Sequence, residues 1–381
     1  MHILFVVTCS FPLGEASSIR AINLARMIVA AGYSLYIIAD SKGTDCNDVP
    51  CEYECVADKA KSFSQRNSIA KESVKRIKNY CDNHPVDAIL MNARYDRFDS
   101  VLNFCKKKKI PLYIESCEWY HYGNFKLKFL DYRFWLNQKM IMLGFRRIDG
   151  FISISRLLDE HNKRWGGKSV RVPTIMDVDQ IVYRTKAIKR DKIEFVYSGN
   201  PGVSKELLAP MISILANNRE IKEKVVFHIY GVNRSQVLKN KKVNVQMLRS
   251  AGDSLIIHGR VSQEEIGSIV MNADFQLFIR PDRKSSNAGF PTKLGESMAV
   301  GTPVISNLTG DIGLYLNDGY NGYIVEGNTP QELERTITNI LSLNQEEYES
   351  LRNNARMTAE QYFDYHKYID YIANLFGGLN T

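Results

Sequence analysis

No stretch of this sequence approaches the ~18–20 consecutive apolar residues needed to span a bilayer, so a membrane-spanning helix is not expected. Low-complexity tracts and short-period repeats are also missing. The opening run, "MHILFVVTCSF", has neither a basic leader nor a small-residue cleavage site, and reads as a first strand and not as a signal peptide. Cysteine is sparse and lopsided. All seven (Cys9, Cys46, Cys51, Cys55, Cys81, Cys105, Cys117) fall in the first third, and an odd number argues for reduced thiols and a cytoplasmic setting. The spacing of Cys46, Cys51 and Cys55 fits no common zinc or iron–sulfur pattern, and no two of the seven histidines stand at metal-ligand spacing.

What is present is the composition of a soluble globular protein, 44% apolar and 24% charged, in a chain of 381 residues, long enough for two cores. The net charge of +8 is unevenly placed. Residues 1–190 carry 31 Lys/Arg against 20 Asp/Glu, and the remainder 19 against 22, so a basic half adjoins a slightly acidic one. Such asymmetry implies domains with different partners: anionic lipid, a phosphorylated substrate or nucleic acid. Nucleic acid has no motif behind it. The run "KKKK" at 106–109 ends a helical pattern, where lysines favour the dipole, and reads as a solvated face.

Strand and helix signals alternate nearly throughout. "HILFVVT", "SLYIIAD", "VDAILMN", "PLYIES" and "GFISIS" are β-branched runs of the buried parallel kind, separated by helical patterns at roughly 17–31, 66–83, 98–109 and 126–147. A polar segment, "TIMDVDQIVYRTKAIKRDK", reads as a linker. The alternation restarts with "KIEFVYSG", "VVFHIYG", "SLIIHG", "DFQLFI", "TPVIS" and "GYIV", and the segment 345–376 reads as helical. Two βα series in tandem predict two doubly wound α/β domains, 1–183 and 192–360, followed by a C-terminal helix at 361–381 that packs back on the first. Ligands bind such sheets at the carboxyl ends of the strands. Two loops there have the right chemistry: "TCSFPLGEASS", with Gly14, and "YSGNPGVSKE", with Gly199, Gly202 and Lys205. The second is expected to open a helix at 203 whose first turn holds Lys205, a poor place for a lone lysine and a good one beside a phosphate.

One carboxylate stands out inside "NAGFPTKLGESMAVGTPVIS", a run that otherwise reads as packed interior: Glu296. With "NDGYNGYIV" and "TPQELERTITNIL" after it, this run resembles the donor-binding domain of the family 4 (group 1) glycosyltransferases of GT-B fold. The first loop with "AINLARMIVAAGYSLYIIA", and "RIDGFISISRLLDEH", resemble that family's N-terminal domain. The resemblance implies two Rossmann-like domains facing a central cleft. It implies a nucleoside-diphosphate-sugar donor, UDP-linked first, and a glycan or polyprenyl-diphosphate-linked acceptor in surface polysaccharide synthesis. Retention of configuration and no metal or other cofactor are implied as well. Glu296 matches the glutamate that accepts hydrogen bonds from the nucleotide ribose, at a helix start. Its usual partner eight positions earlier is Ala288 here, flanked by Asn287, with Gly289 and Phe290 completing the donor loop. Asn200 stands at the arginine of the family's phosphate clamp and Lys205 at its lysine, leaving Arg280 or Lys293 to restore the lost charge. Gly14 matches the loop glycine near the reacting centre.

In place of the family's histidine after "PLYIES" the chain has Cys117 and Glu118. Glu118 is therefore a catalytic candidate with Lys205 and Arg280, and Arg20, after "GEASS", is a candidate for meeting an anionic acceptor. The pair Asp177 and Asp179 resembles a metal-binding motif but lies in the linker. Two rivals accompany this reading: a nucleotide-sugar epimerase of the same fold, and a non-catalytic nucleotide-sugar-binding subunit. Finally, the segment 124–147 carries six Lys/Arg and one Asp among aromatic and aliphatic residues. A stripe of Leu127, Leu130, Phe134, Met140 and Ile141, flanked by cations, either packs on its own sheet or lies on the anionic inner leaflet of the plasma membrane.

Overall fold

The structure is a computed structural model that describes residues 1–377 except 15, 59–62, 120–130, 166, 184–190 and 202–204. Seven strands form the first sheet: β1 (His2–Phe11), β2 (Ser34–Lys42), β3 (Glu52–Ala57), β4 (Ala88–Asn92), β5 (Leu112–Ser116), β6 (Gly150–Ser153) and β7 (Lys168–Arg171). Their order is β3-β2-β1-β4-β5-β6-β7, every pairing parallel. A parallel sheet needs both faces covered, and Ile3 to Val7 of β1 are indeed wholly buried. Six parallel strands form the second sheet: β8 (Ile193–Ser198), β9 (Val225–Tyr230), β10 (Leu255–Gly259), β11 (Phe275–Phe278), β12 (Val304–Asn307) and β13 (Gly322–Val325). Their order is β10-β9-β8-β11-β12-β13. In each sheet the order reverses beside the first strand (β1, β8), the doubly wound arrangement in which strand carboxyl ends hold ligands.

By contacts the chain divides into a first unit of Met1–Asp177, Ala288–Phe290 and Tyr365 onward, and a second of Val178–Asn287 and Pro291–Asp364. The division falls at 177/178, a few residues before the expected 183. The C-terminal segment is two helices and not one. Gln345–Tyr362 belongs to the second unit, where Tyr348 donates to Asp274 and Arg352 to the carbonyls of Ala273 and Met271. Ile369–Gly377 belongs to the first. Its Ile372, Leu375 and Phe376 join the core that contains Met27, Ile28 and Leu90, with Phe376 edge-on to Tyr113 at 4.6 Å.

The helix at Phe98–Lys108 closes on three lysines, with Lys109 in the left-handed conformation (φ 58°) returning its N–H to the Cys105 carbonyl. All seven cysteines are free thiols. Among the described residues no helix is long and apolar enough to cross a membrane.

Because Phe376 is wholly buried near the chain's end, Phe376→Ala should cost the first unit about 3–5 kcal/mol. Urea unfolding followed by tryptophan fluorescence checks this, since Trp119, Trp135 and Trp165 all lie in that unit. An unchanged midpoint would show that the C-terminal helix is dispensable to that core.

Candidate functional site

In the second unit, β8 ends in a glycine that cannot be replaced cheaply. Gly199 has φ 132°, a region L-residues rarely enter, and a Cβ there would stand 3.0 Å from Cε and Nζ of Lys293. Gly199 N–H bonds to the Tyr230 carbonyl, which fixes the chain's exit from β8. Asn200 and Lys205 are exposed. The start expected at 203 lies outside the described residues; Lys205, expected in the first turn of a helix, sits in a turn with its N–H bonded to the Pro201 carbonyl, and the next helix among the described residues is Ala209–Asn217. Pro210 at the start of that helix and the bond from Leu207 N–H to the Ile279 carbonyl account for the later onset. Gly202 lies outside the described residues.

The lysine held close to Gly199 is Lys293, second residue of the helix Thr292–Ala299. Its Nζ donates to both carboxylate oxygens of Glu206, at 2.9 and 2.8 Å, and the Tyr197 hydroxyl donates to Glu206 Oε2. Glu206 is 4% exposed and Tyr197 wholly buried. Burial alone would raise the Glu206 pKa, but the Lys293 charge and the hydrogen bonds from Lys293 and Tyr197, helped by Lys205, bring it below the ordinary value. Tyr197 moves well above its own, first by burial and then by the neighbouring carboxylate.

Glu296 lies one turn beyond Lys293 on the same helix. It stands at the fifth position, not at the helix start with backbone N–H partners as the sequence suggested. Partial burial raises its pKa, opposed by the Lys293 charge and a hydrogen bond from Thr292. Arg280 is buried after β11; its backbone N–H bonds to Asn307 and its Nη1 to the Thr309 hydroxyl, 3.1 Å away. Asn287 donates to Asp282 and accepts from the N–H of Gly310, so its amide ties two loops. Ala288, Gly289 and Phe290 are buried.

In the first unit, a Cβ on Gly14 would meet the Ser10 Cβ at 2.9 Å, so glycine is required by the close approach of the loop to β1. Arg20 does not face outward to an acceptor. It is 5% exposed; its Nε bonds to Glu115 at 2.6 Å and its Nη atoms to the carbonyls of Pro173 and Val172. Asn92 Nδ2 and the Cys117 thiol also donate to Glu115. Burial first, and then Glu115, push that thiol well above its usual pKa despite Arg20. The guanidinium is a structural cation.

Glu118 is exposed after β5 and borders a very small cavity of about 10 Å³, room for about one water, with Ser116, Trp119, Met140 and His161. Sequence reading missed His161. It comes from the helix Arg156–Lys163, lies edge-on to Trp119 at 4.8 Å and accepts from Trp165 Nε1 at 3.3 Å. No local motif marks it, because it reaches the carboxyl end of β5 from more than forty residues further along the chain.

The basic segment 124–147 forms a helix over Tyr132–Met142; Lys126, Leu127, Lys128 and Leu130 lie outside the described residues. Met140 and Ile141, from the proposed membrane stripe, are buried in their own unit. A different face is bare: Tyr132, Trp135, Leu136, Met142 and Leu143 are all exposed, Trp135 by 58%. At spacings of three and four residues they share one side.

Residues 184–358 match the family described as glycosyl transferases group 1. A 134-residue stretch is 29% identical to an uncharacterised glycosyltransferase of Methanocaldococcus jannaschii, covering 35% of this chain and 34% of that one, so the match spans about a third of the relative's length. Among solved structures, sucrose-phosphate synthase of Thermosynechococcus elongatus aligns over 99% of this chain and 98% of its own, at 16% identity and TM-score 0.75. HepE of Anabaena, in complex with UDP and glucose, aligns over 99% and 100%, at 16% identity and TM-score 0.72. At these identities the likeness establishes the fold, two Rossmann-like α/β domains of GT-B type.

If Arg20 is structural, Arg20→Gln should lower stability by about 3–5 kcal/mol, the usual result of leaving one member of a buried pair alone. The double change Arg20→Met with Glu115→Leu should recover much of it. Denaturant midpoints decide. A single variant as stable as wild type would return Arg20 to the list of ligand-facing residues.

Proposed function

We propose, from the match of residues 184–358 to the group 1 glycosyl transferases, that the chain transfers a sugar from a nucleoside diphosphate to a glycan or lipid-linked acceptor. The finer reading is a family 4 enzyme that retains anomeric configuration, uses a UDP-sugar without metal, and serves surface-polysaccharide synthesis. One observation carries it: a single helix, Thr292–Ala299, presents a cation to the turn after β8 and, one turn later, a partly buried carboxylate. A diphosphate and a ribose diol are the parts of one nucleotide that we assign to that pair. The neighbour HepE, which binds UDP, lends support to UDP as the first choice. Stabilising negative charge on the departing diphosphate is the main physical task, and Lys205 with Lys293 are the groups suited to it. Arg280, buried and turned to Thr309, is better suited to holding the loop after β11 than to touching phosphate.

On the acceptor side, Glu118 is exposed at the carboxyl end of β5 and is the polar group we assign to a sugar hydroxyl; the gap it shares with His161 holds no more than about one water. The bare face of Tyr132, Trp135, Leu136, Met142 and Leu143 supports a peripheral seat on an anionic inner leaflet, where a polyprenyl-linked acceptor would be anchored. Arg133 and Lys139 already pair with Asp131 and Asp99, so apolar area contributes more than charge. This replaces the stripe chosen from the sequence.

Glu296→Gln should weaken UDP binding about ten- to a hundredfold, since charge-assisted hydrogen bonds are worth roughly 1.5–3 kcal/mol. Wild-type affinity should also fall on acidification through a pKa above the ordinary glutamate value, and the variant should lose that dependence. Calorimetric titration at several pH values checks both, and equal affinities would remove Glu296 from the nucleotide site. Turnover with UDP-sugars and an acceptor pool should survive chelator, with Lys205→Ala lowering rate more than nucleoside binding. Activity lost in chelator and restored by manganese would overturn the metal-free reading. Trp135→Ser with Leu143→Ser should abolish sedimentation with anionic vesicles. Wild-type protein that stays in the supernatant would leave a soluble acceptor.

A further inference from the structure

Glu206 is a carboxylate with no place in the reading above. It is buried, anionic, and bound by two of the three N–H donors of the one lysine that touches the Gly199 turn. As pure scaffolding this is a poor investment, because a buried ion pair rarely outperforms apolar residues of similar volume. Its location is also unusual for scaffolding. Lys293 Nζ stands against a glycine that has no side chain to come between the ammonium and the strand end, and it lies 5.1 Å from the Tyr197 ring centroid. Near the amino end of its helix a lysine opposes the dipole, so an anion beside it is favourable. Lys205 adds a second positive charge nearby, felt by Glu206.

We infer that Glu206 stands in for the phosphates of the donor, holding the Lys293 ammonium until an anionic ligand arrives at the Gly199 turn and takes over part of its hydrogen bonding. Tyr197 keeps Glu206 in place during the exchange by donating to Oε2. Glu206 and Tyr197 are thus positioning residues that set how tightly a diphosphate is held and how readily it leaves. The inference rests on the proposed donor site and adds the group that competes for its cation.

The full chain is titrated with UDP and GDP, and with uridine and guanosine, as wild type, Glu206→Gln, Lys293→Met and the double variant. The expected result is that Glu206→Gln binds the diphosphate about fivefold tighter, since a like charge beside the ligand has been removed. Lys293→Met should bind it about tenfold more weakly, since a charge-assisted bond is lost. The double variant should match Lys293→Met, because an unpaired buried carboxyl is neutral already. Nucleoside affinities should not move. In wild type with ¹⁵N-labelled lysine, the Nζ resonance that disappears in Lys293→Met should shift with UDP and not with uridine. A Glu206→Gln variant that binds no tighter, or an Nζ resonance that ignores the diphosphate, overturns the exchange and leaves Glu206 a fixed brace. Wild type that binds neither diphosphate removes the donor reading itself, and the exchange with it.

Discussion

A charge buried at the carboxyl end of a parallel strand must be neutralised from within the chain, and both units of this protein are built around that requirement. In the first, Glu115 on β5 is met by Arg20; in the second, Glu206 beyond β8 is met by Lys293. Each pair joins a helix to a strand end, where the loops of a doubly wound sheet are otherwise free to wander. Arg20 couples the helix Ala16–Ala30 to β5 and to the chain leaving β7. Lys293 couples the helix Thr292–Ala299 to the turn after β8, and so sets where Glu296 stands.

The two pairs are not equivalent, and the difference is in the cations. Arginine spreads its donors in a rigid plane, and around Arg20 that plane is filled by a carboxylate and two carbonyls. Arg20 is 5% exposed, so the donors it has left face the interior. Lysine is a compact point charge with three donors on a flexible stem, and Lys293 gives two of them to one carboxylate. The first arrangement is the more deeply buried of the two, 6% of the cation's side chain exposed against 13%, which is why we propose the ligand role for Lys293 and not for Arg20.

What the sequence made legible was what depends on short-range pattern. Buried strands of uniform β-branched character, the glycine ending β8, and the cluster of small residues around Glu296 all announce themselves within ten residues. β3 escaped because an edge strand carries Glu52 and Glu54 on its exposed side, which breaks the apolar run that marks its neighbours. The partners escaped for a different reason. Glu115 lies 95 residues from Arg20, and Glu206 lies 87 from Lys293, so each cation read alone looked available. The exposed face of the helix Tyr132–Met142 was not picked out because two apolar stripes share that helix, and packing decides that Met140 and Ile141 turn inward, one of the two expected outcomes, while Trp135 and Leu136 do not.

The departures from the family pattern also take on a physical sense. Ala288 is wholly buried, so the position is packed and a carboxylate there would need a partner of its own. Asn287 beside it is already committed to Asp282 and Gly310. With asparagine at position 200, the turn after β8 has Lys205 and Lys293 as cations, and Glu206 offsets one of them. An arginine at 200 would add a further positive charge; asparagine leaves the two lysines and Glu206 with one net positive charge. Under the proposed exchange the site turns more positive charge toward a ligand as the internal carboxylate gives ground, so the ion pair beside β8 would also limit how strongly a diphosphate is held.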